Sequence, residues 1–190
     1  FEEGLTVPKA EEHFFLPKHV IENLERIKLL AKRHPVNILV AGKQGCGKST
    51  LVRQFAARNG RPLANFQIGI LSEPGQLFGE HRLKDGETYY QEFLFPKAIQ
   101  TPGCVIHLEE INRPEHPKAL NMLFSVLAED RKVWTDELGL MNVADEVAFF
   151  SVDISQGART GYLVKFCPAA QIFDRPQEEL TQKYVSGEFS

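Results

Sequence analysis

A run of eight residues brings glycines, a lysine and a hydroxyl group together at a spacing suited to binding phosphate. Glycine lets backbone N–H groups turn inward on a polyphosphate, because it has no Cβ to collide with the ligand. Lys48 is expected to reach the β and γ phosphates, Ser49 to bind magnesium, and Thr50 to donate toward the α phosphate. The sequence therefore predicts a loop that holds a nucleoside triphosphate with Mg²⁺. Its predicted nucleotide-binding residues are Gly42, Gln44, Gly45, Cys46, Gly47, Lys48, Ser49 and Thr50.

The residues on either side of this loop predict the elements that position it. The run 36–41 is apolar except for Asn37 and leads into a glycine, which is typical of a buried strand. After the loop, apolar residues recur at helical spacing, at Leu51, Val52, Phe55 and Ala56. That helix is expected to end at Asn59-Gly60. A chance match to a glycine turn would have to reproduce the glycines, the lysine, the hydroxyl and both flanking elements at once.

An acidic pair, Glu109-Glu110, follows the apolar run 104–108. Hydrolysis of a triphosphate needs one group that holds the metal and another that orients the attacking water. Successive side chains of a strand point to opposite sides, so Glu109 is expected to face the metal and Glu110 the γ phosphate. Glu109 is thus a predicted metal residue with Ser49, and Glu110 and Lys48 are the predicted catalytic residues. The alternative is an exposed strand end that carries two solvated acids.

The rest of the chain alternates expected strands with expected helices. Helices are predicted over 20–31, 51–58, 96–101 and 120–127, and strands over 36–41, 63–68, 104–108, 147–154 and 163–166. Two hairpins are expected, one turning at Asp85-Gly86 and one within 131–146 with Gly139 near its turn. This pattern predicts an α/β fold, a three-layer P-loop NTPase with a central parallel sheet and two hairpin inserts. The predicted divisions are an N-terminal surface arm (1–19), the core (20–160) and a residual strand and helix (161–190).

The acidic pair also begins a longer motif. Glu109-Glu110-Ile111-Asn112-Arg113 resembles the Asp-Glu-Ile-Asn-Arg signature of MoxR-type ATPases, in the dynein-related branch of the AAA+ superfamily. The segments 76–79 and 84–87 are similar to those that lead into the family's helix-2 insert, and 128–133 resembles the entry to its hairpin before sensor 1. The resemblance covers roughly residues 14–154.

This resemblance implies an ATP-binding and ATP-hydrolysing enzyme that assembles into a homo-oligomeric ring, expected to be a hexamer, and remodels a protein client. It implies a sensor 1 role for Asp153 and intersubunit roles for Arg113 and Arg159. Asp153 could instead cap the strand end, and Arg113 could form a surface salt bridge. Glu109 stands where the family has aspartate, which lengthens the arm and predicts slower hydrolysis.

The family also carries a helix with arginine fingers and then a helical lid with sensor 2. The residues after Gly157 are too few for both, so the lid is expected to be absent or truncated. Either the protein is a diverged minimal form, or the sequence omits segments of a longer chain.

Composition narrows the classes of partner. The 22 basic and 25 acidic residues give a formal net charge of -3 without a basic run, which argues against direct binding to nucleic acid or an anionic membrane. No apolar stretch reaches the roughly 18 residues of a membrane span, and no signal peptide is recognisable. Three widely spaced cysteines predict neither disulfides nor a zinc site, and the expected compartment is the cytoplasm.

For four further residues and for the function itself the sequence allows two interpretations. His107 is expected to be a hydrogen-bonded core histidine, with catalysis as the lesser reading, and Tyr89, Tyr90 and Trp134 are expected to pack rather than to touch a client. The rival functions are a P-loop kinase or other phosphotransferase, and a nucleotide-binding assembly switch with weak hydrolysis.

Overall fold

A computed structural model describes residues 4–30, 36–71, 74–111, 123, 131–144, 147–153 and 162–166. Its helices are α1 (Lys18–Leu30), α2 (Lys48–Arg58) and α3 (Leu94–Gln100), with short 3₁₀ turns at Ile68–Ile70 and Pro74–Leu77. Its strands are β1 (Val36–Gly42), β2 (Leu63–Gln67), β3 (Gly79–Lys84), β4 (Glu87–Glu92), β5 (Val105–Glu109), β6 (Lys132–Thr135), β7 (Gly139–Asn142), β8 (Val147–Asp153) and β9 (Tyr162–Phe166). Within these ranges no helix has the length and apolarity needed to cross a bilayer.

Five strands form the central sheet in the order β2-β5-β8-β1-β9. The first four run parallel, as the alternation of strands and helices predicts. The exception is β9, which pairs antiparallel with β1. A parallel return would need a crossover of about a dozen residues or more, whereas only the segment 154–161 separates β8 from β9. Tyr162 and Asp153 accordingly lie on either side of Gly42, at the same end of the sheet.

The two faces of the sheet bury separate apolar clusters, because successive side chains of a strand alternate between faces. Ile38 and Val40 of β1 belong to the cluster that α1 and α2 cover. Leu39 and Ala41 face the other way, into the cluster that α3 covers. The predicted three-layer α/β arrangement is therefore confirmed. The predicted helix at 120–127 lies outside the described residues except for Leu123, which is buried in the cluster on the α3 side.

Both predicted hairpins are present as separate two-stranded sheets, β3-β4 and β6-β7. The first turns at Asp85 and Gly86, which both have positive φ, as an Asp-Gly hairpin turn requires. In the second, Val133 and Met141 are paired and buried, whereas the pair Trp134 and Leu140 is 59% and 61% exposed. Trp134, which is expected to pack rather than to contact a client, is therefore mostly exposed, since the alternation of the strand turns its side chain outward.

The N-terminal arm does more than run over the surface. Thr6 pairs with Leu63 at the free edge of β2, where a backbone N–H donates to the Thr6 carbonyl at 3.1 Å. Leu5 is only 2% exposed and belongs to the cluster on the α3 side. The arm, predicted to run over the surface, is held here at the edge of the sheet, because an edge strand offers unpaired backbone groups that a passing segment can satisfy.

Gly79 begins β3 at a point where no side chain fits. An added Cβ would collide with the Gln91 carbonyl oxygen and lie 2.6 Å from Cζ of Tyr90. We expect Gly79→Ala to lower the free energy of unfolding by about 1–3 kcal/mol, the usual cost of overpacking. Urea denaturation measures it. Gly75→Ala is the matched control, since a Cβ there meets nothing within 4 Å; equal stability of the two variants would contradict the prediction.

Candidate functional site

The glycine loop and the acidic pair meet in one cleft of about 340 Å³. The cleft lies at the carboxyl ends of β1, β5 and β8, the end of a parallel sheet at which ligands bind in α/β folds. Its lining residues are Gln44, Gly45, Gly47, Lys48, Ser49, Thr50, Glu109, Glu110 and Ser151. Of these, only Ser151 is absent from the residues singled out by the sequence.

The loop follows β1 directly and opens into α2. Gly45 and Gly47 have φ angles of 78° and 92°, in a region that residues with a Cβ rarely adopt. Gly42 ends β1, and the amide of Cys46 donates to the Lys43 carbonyl at 3.2 Å, which closes the turn between them. Because α2 begins at Lys48, its N-terminal N–H groups and the positive end of its dipole are at the cleft. Such a helix end favours an anion.

Lys48 is folded into the loop rather than extended into solvent. Its side chain is 7% exposed, and its ammonium donates to the carbonyl oxygens of Gly42 at 3.0 Å and Lys43 at 2.8 Å. Cys46 Sγ lies 3.9 Å from the same nitrogen. A positive charge is thereby held at the inner wall of the cleft.

Glu109 is held by three donors. The Gln67 amide donates to Oε2 at 2.8 Å, and Nδ1 of His107 lies 3.2 Å from Oε1. The Ser49 hydroxyl is a further hydrogen-bond partner of the carboxylate. The His107 hydrogen bond is the largest influence on the pKa of Glu109 and, with the other donors, lowers it below its ordinary value against the opposing effect of burial. The carboxylate is therefore charged at neutral pH.

The pairing of Ser49 with Glu109 suits a magnesium ion. A hydroxyl and a carboxylate oxygen are the ligands that Mg²⁺ prefers, and they are neighbours at the mouth of the cleft. No cluster of three or more His, Cys, Asp or Glu side chains capable of holding a metal occurs in the part of the chain that the structure describes. Mg²⁺ at a nucleotide is usually bound by one or two protein groups together with the phosphates, so this small donor set fits it.

Glu110 leaves the regular strand. Its φ is 53°, a left-handed conformation that is uncommon outside glycine. The strict alternation expected for a strand would send Glu109 and Glu110 to opposite sides, yet both line the same cleft. The alternation fails because β5 ends at Glu109 and the backbone turns at the next residue. Positive φ at a non-glycine residue is a feature that often accompanies functional sites.

His107 is fully buried in β5 and both of its ring nitrogens have partners, as expected for a core histidine. Nδ1 lies 3.1 Å from Asn65 Oδ1 as well as near Glu109, and Nε2 lies 2.5 Å from Ser151 Oγ. The contacts of His107, Gln67 and Ser151 around the acidic pair were not predicted from the sequence. The available signal was a pair of polar residues in each of three mainly apolar strands, one at the strand end and one two positions before it.

Three further predicted site residues are not shown to lie in the cleft by the part of the chain that the structure describes. Asp153 is the last residue of β8 and its backbone pairs with Gly42, but its side chain lies outside what the structure describes. Arg113 and Arg159 lie outside the described residues altogether. Their sensor and intersubunit roles stay predictions.

The parallel sheet carries the glycine loop after β1 and the acidic pair at the end of β5, and β8 lies between these two strands. This arrangement defines a P-loop NTPase of the AAA+ type. The family model described as "AAA domain (dynein-related subfamily)" matches residues 37–173, and the chain belongs to this family. The resemblance to the dynein-related branch is thus confirmed.

Two curated relatives share long stretches with the chain. BssE of Thauera aromatica, named as a candidate chaperone, is 67% identical over 145 residues, which are 76% of this chain and 51% of BssE. The phosphate import ATP-binding protein PstB 1 of Pseudomonas putida is 44% identical over 106 residues, 53% of this chain and 38% of that protein. The chain therefore spans about half the length of BssE and less of PstB 1.

Among solved structures, a RuvB mutant of Thermotoga maritima superimposes with a TM-score of 0.53. The two share 17% sequence identity, and the match covers 77% of this chain and 42% of the RuvB chain. At that identity the likeness establishes the fold and nothing more.

Proposed function

We propose that this chain is the ATP-hydrolysing core of a ring-forming AAA+ enzyme that remodels a protein client. Membership of the family supports the assignment as an ATPase, and one structural observation supports hydrolysis of the bound nucleotide. That observation is the cleft in which Lys48, Ser49, Glu109 and Glu110 lie together.

Each of these residues has a distinct task in the proposal. The loop amides from Gly42 to Gly47, with Lys48, would bind the β and γ phosphates, and Thr50 would donate toward the α phosphate. Ser49 and Glu109 would hold Mg²⁺, which when bound neutralises charge on the phosphate oxygens. Glu110 would accept a hydrogen bond from the attacking water and orient it toward the γ phosphate.

Assembly and client belong to the same proposal. The candidate-chaperone name of BssE supports a client that is a protein, and the family suggests a homo-oligomeric ring of six. Arg113 and Arg159 are proposed to act between subunits and Asp153 as sensor 1. The net charge of -3 supports a client other than nucleic acid, and the cysteine pattern supports a cytoplasmic location.

Phosphate release and particle imaging test this function together. We expect the protein to release phosphate from ATP without any added acceptor, and to form closed rings with a slowly hydrolysed ATP analogue. Monomers that release no phosphate would contradict the proposal. Phosphate transfer that requires a small-molecule acceptor would indicate a phosphotransferase, and rings that bind ATP without turnover would indicate an assembly switch. The longer arm of Glu109 is the feature that favours this last alternative.

A further inference from the structure

We propose that His107 and Gln67 form a clamp that positions the Glu109 carboxylate for Mg²⁺, with His107 also fixing Ser151 in the cleft. The proposal rests on the function proposed above, and it assigns positioning roles to residues outside the glycine loop and the acidic pair. Neither residue lines the cleft itself. Both act through Glu109, which does.

The clamp compensates for the presence of a glutamate at the position where the family signature has an aspartate. Glutamate has one more rotatable bond than the aspartate of the family signature, so its carboxylate has more positions to lose when it binds a metal. Here each carboxylate oxygen faces a nitrogen donor, and the single hydrogen on Nδ1 of His107 is shared between Glu109 and Asn65. Gln67 Nε2 lies 2.8 Å from Oε2, and His107 Nδ1 lies 3.2 Å from Oε1. Two donors on different oxygens fix the plane of the carboxylate as well as its location.

The His107 ring is itself held on both sides. Two acceptor oxygens face Nδ1, those of Glu109 and Asn65, so Nδ1 carries a hydrogen and donates it. On the other side, the Ser151 hydroxyl contacts Nε2 at 2.5 Å and can serve as donor or acceptor there. A ring bonded at both nitrogens and fully buried has one orientation.

This ring connects two residues of the cleft wall across the sheet. Asn65, His107 and Phe149 are register partners on β2, β5 and β8, and Gln67 is paired with Glu109 two residues closer to the cleft. Glu109 and Ser151 both line the cleft, and His107 lies beneath them. Removing the ring would leave each of them without a partner that now fixes its direction.

A purely structural role would be met more simply by an apolar side chain. Val105 and Phe149, on the same face of the sheet, belong to the apolar cluster on the α1 and α2 side. Burying a polar ring among such residues costs free energy unless its hydrogen bonds are made. The bonds that compensate for that cost at His107 run to the two cleft residues and to Asn65 on β2. Outer partners of this kind usually change metal affinity by about 10-fold to 100-fold when they are removed.

The test measures binding of a non-hydrolysable ATP analogue as a function of Mg²⁺ concentration. We expect His107→Leu and Gln67→Leu to raise the half-saturating Mg²⁺ concentration by about 10-fold or more. Affinity for the analogue in excess EDTA is expected to stay within about two-fold of that of the unchanged protein, because the loop and Lys48 are untouched. Gln67 is exposed, so its variant keeps the test decisive if the buried His107 variant does not fold.

Two conservative variants separate the bonds that His107 makes. His107→Asn places an amide donor near the position of Nδ1 and should restore the response to Mg²⁺. His107→Gln places its amide near Nε2, and should not restore it. Val105→Ala is the matched control, since it removes buried volume from the same face of β5 and is expected to lower stability without changing the Mg²⁺ requirement.

An unchanged Mg²⁺ requirement in both leucine variants would overturn the clamp while leaving the proposed function intact. Absence of nucleotide binding by the unchanged protein, with or without Mg²⁺, would instead overturn the proposed function and the clamp with it. The two failures are therefore distinguishable in one set of titrations.

Discussion

Lys48→Ala is expected to weaken ATP binding by roughly 100-fold, because it removes charge-assisted hydrogen bonds worth about 1.5–3 kcal/mol each from the phosphates. The Lys48 ammonium is buried in the loop and bonded to two loop carbonyls, so its charge is already fixed at the wall of the cleft. Equilibrium binding of a fluorescent ATP analogue measures the loss, with circular dichroism to show that the variant is folded.

Lys43→Ala provides the matched control for this change. It removes the same charge from the same loop, but Lys43 is exposed and does not line the cleft. We expect its ATP affinity to stay within about three-fold of that of the unchanged protein, which is the effect of a solvent-exposed, screened charge. Tight ATP binding by Lys48→Ala, or equal losses in the two variants, would contradict the assignment of Lys48.

Glu110→Gln is expected to bind ATP normally and to lower kcat by about 100-fold to 10,000-fold, the usual contribution of a general base. Glutamine has the shape of glutamate, but its amide cannot take up a proton from water. The backbone at residue 110 has the same left-handed φ with glutamate or glutamine, so the strain at this position is unchanged. Phosphate release and ATP binding are measured on the same preparation.

An exposed glutamate serves as the reference for the second variant. Glu87→Gln makes the same chemical change on β4, in the hairpin, outside the cleft. Its turnover should match that of the unchanged protein. Full turnover by Glu110→Gln would exclude Glu110 as the base, and loss of ATP binding in that variant would show that it acts on the phosphates instead.

The sequence predicted the loop, the acidic pair and both hairpins because each is a local pattern. Gly45, Gly47 and the turn Asp85-Gly86 have the positive φ angles that their places in those patterns require. The same reasoning predicts the parallel part of the sheet, since the segments that separate β1, β2, β5 and β8 are long enough for crossovers. For these parts of the structure, residues that lie close together in the sequence are sufficient for the prediction.

The support for Glu109 could not be predicted in this way. Gln67 lies 42 residues from Glu109, and Ser151 lies 44 residues from His107. They meet only because β2, β5 and β8 are adjacent and in a particular register, which single-strand patterns do not contain. The antiparallel direction of β9 and the turn at Glu110 were missed for a related reason, because both depend on where a strand stops rather than on its composition.

The position of β1 between β8 and β9 has a consequence for how the loop responds to a ligand. A strand bonded along both edges can open only when the sheet itself comes apart, so its amides should belong to the most slowly exchanging part of the domain. The glycines that follow β1 carry no side chains to restrain them. Nucleotide binding would therefore need to adjust only a few loop residues while the sheet remains as it is.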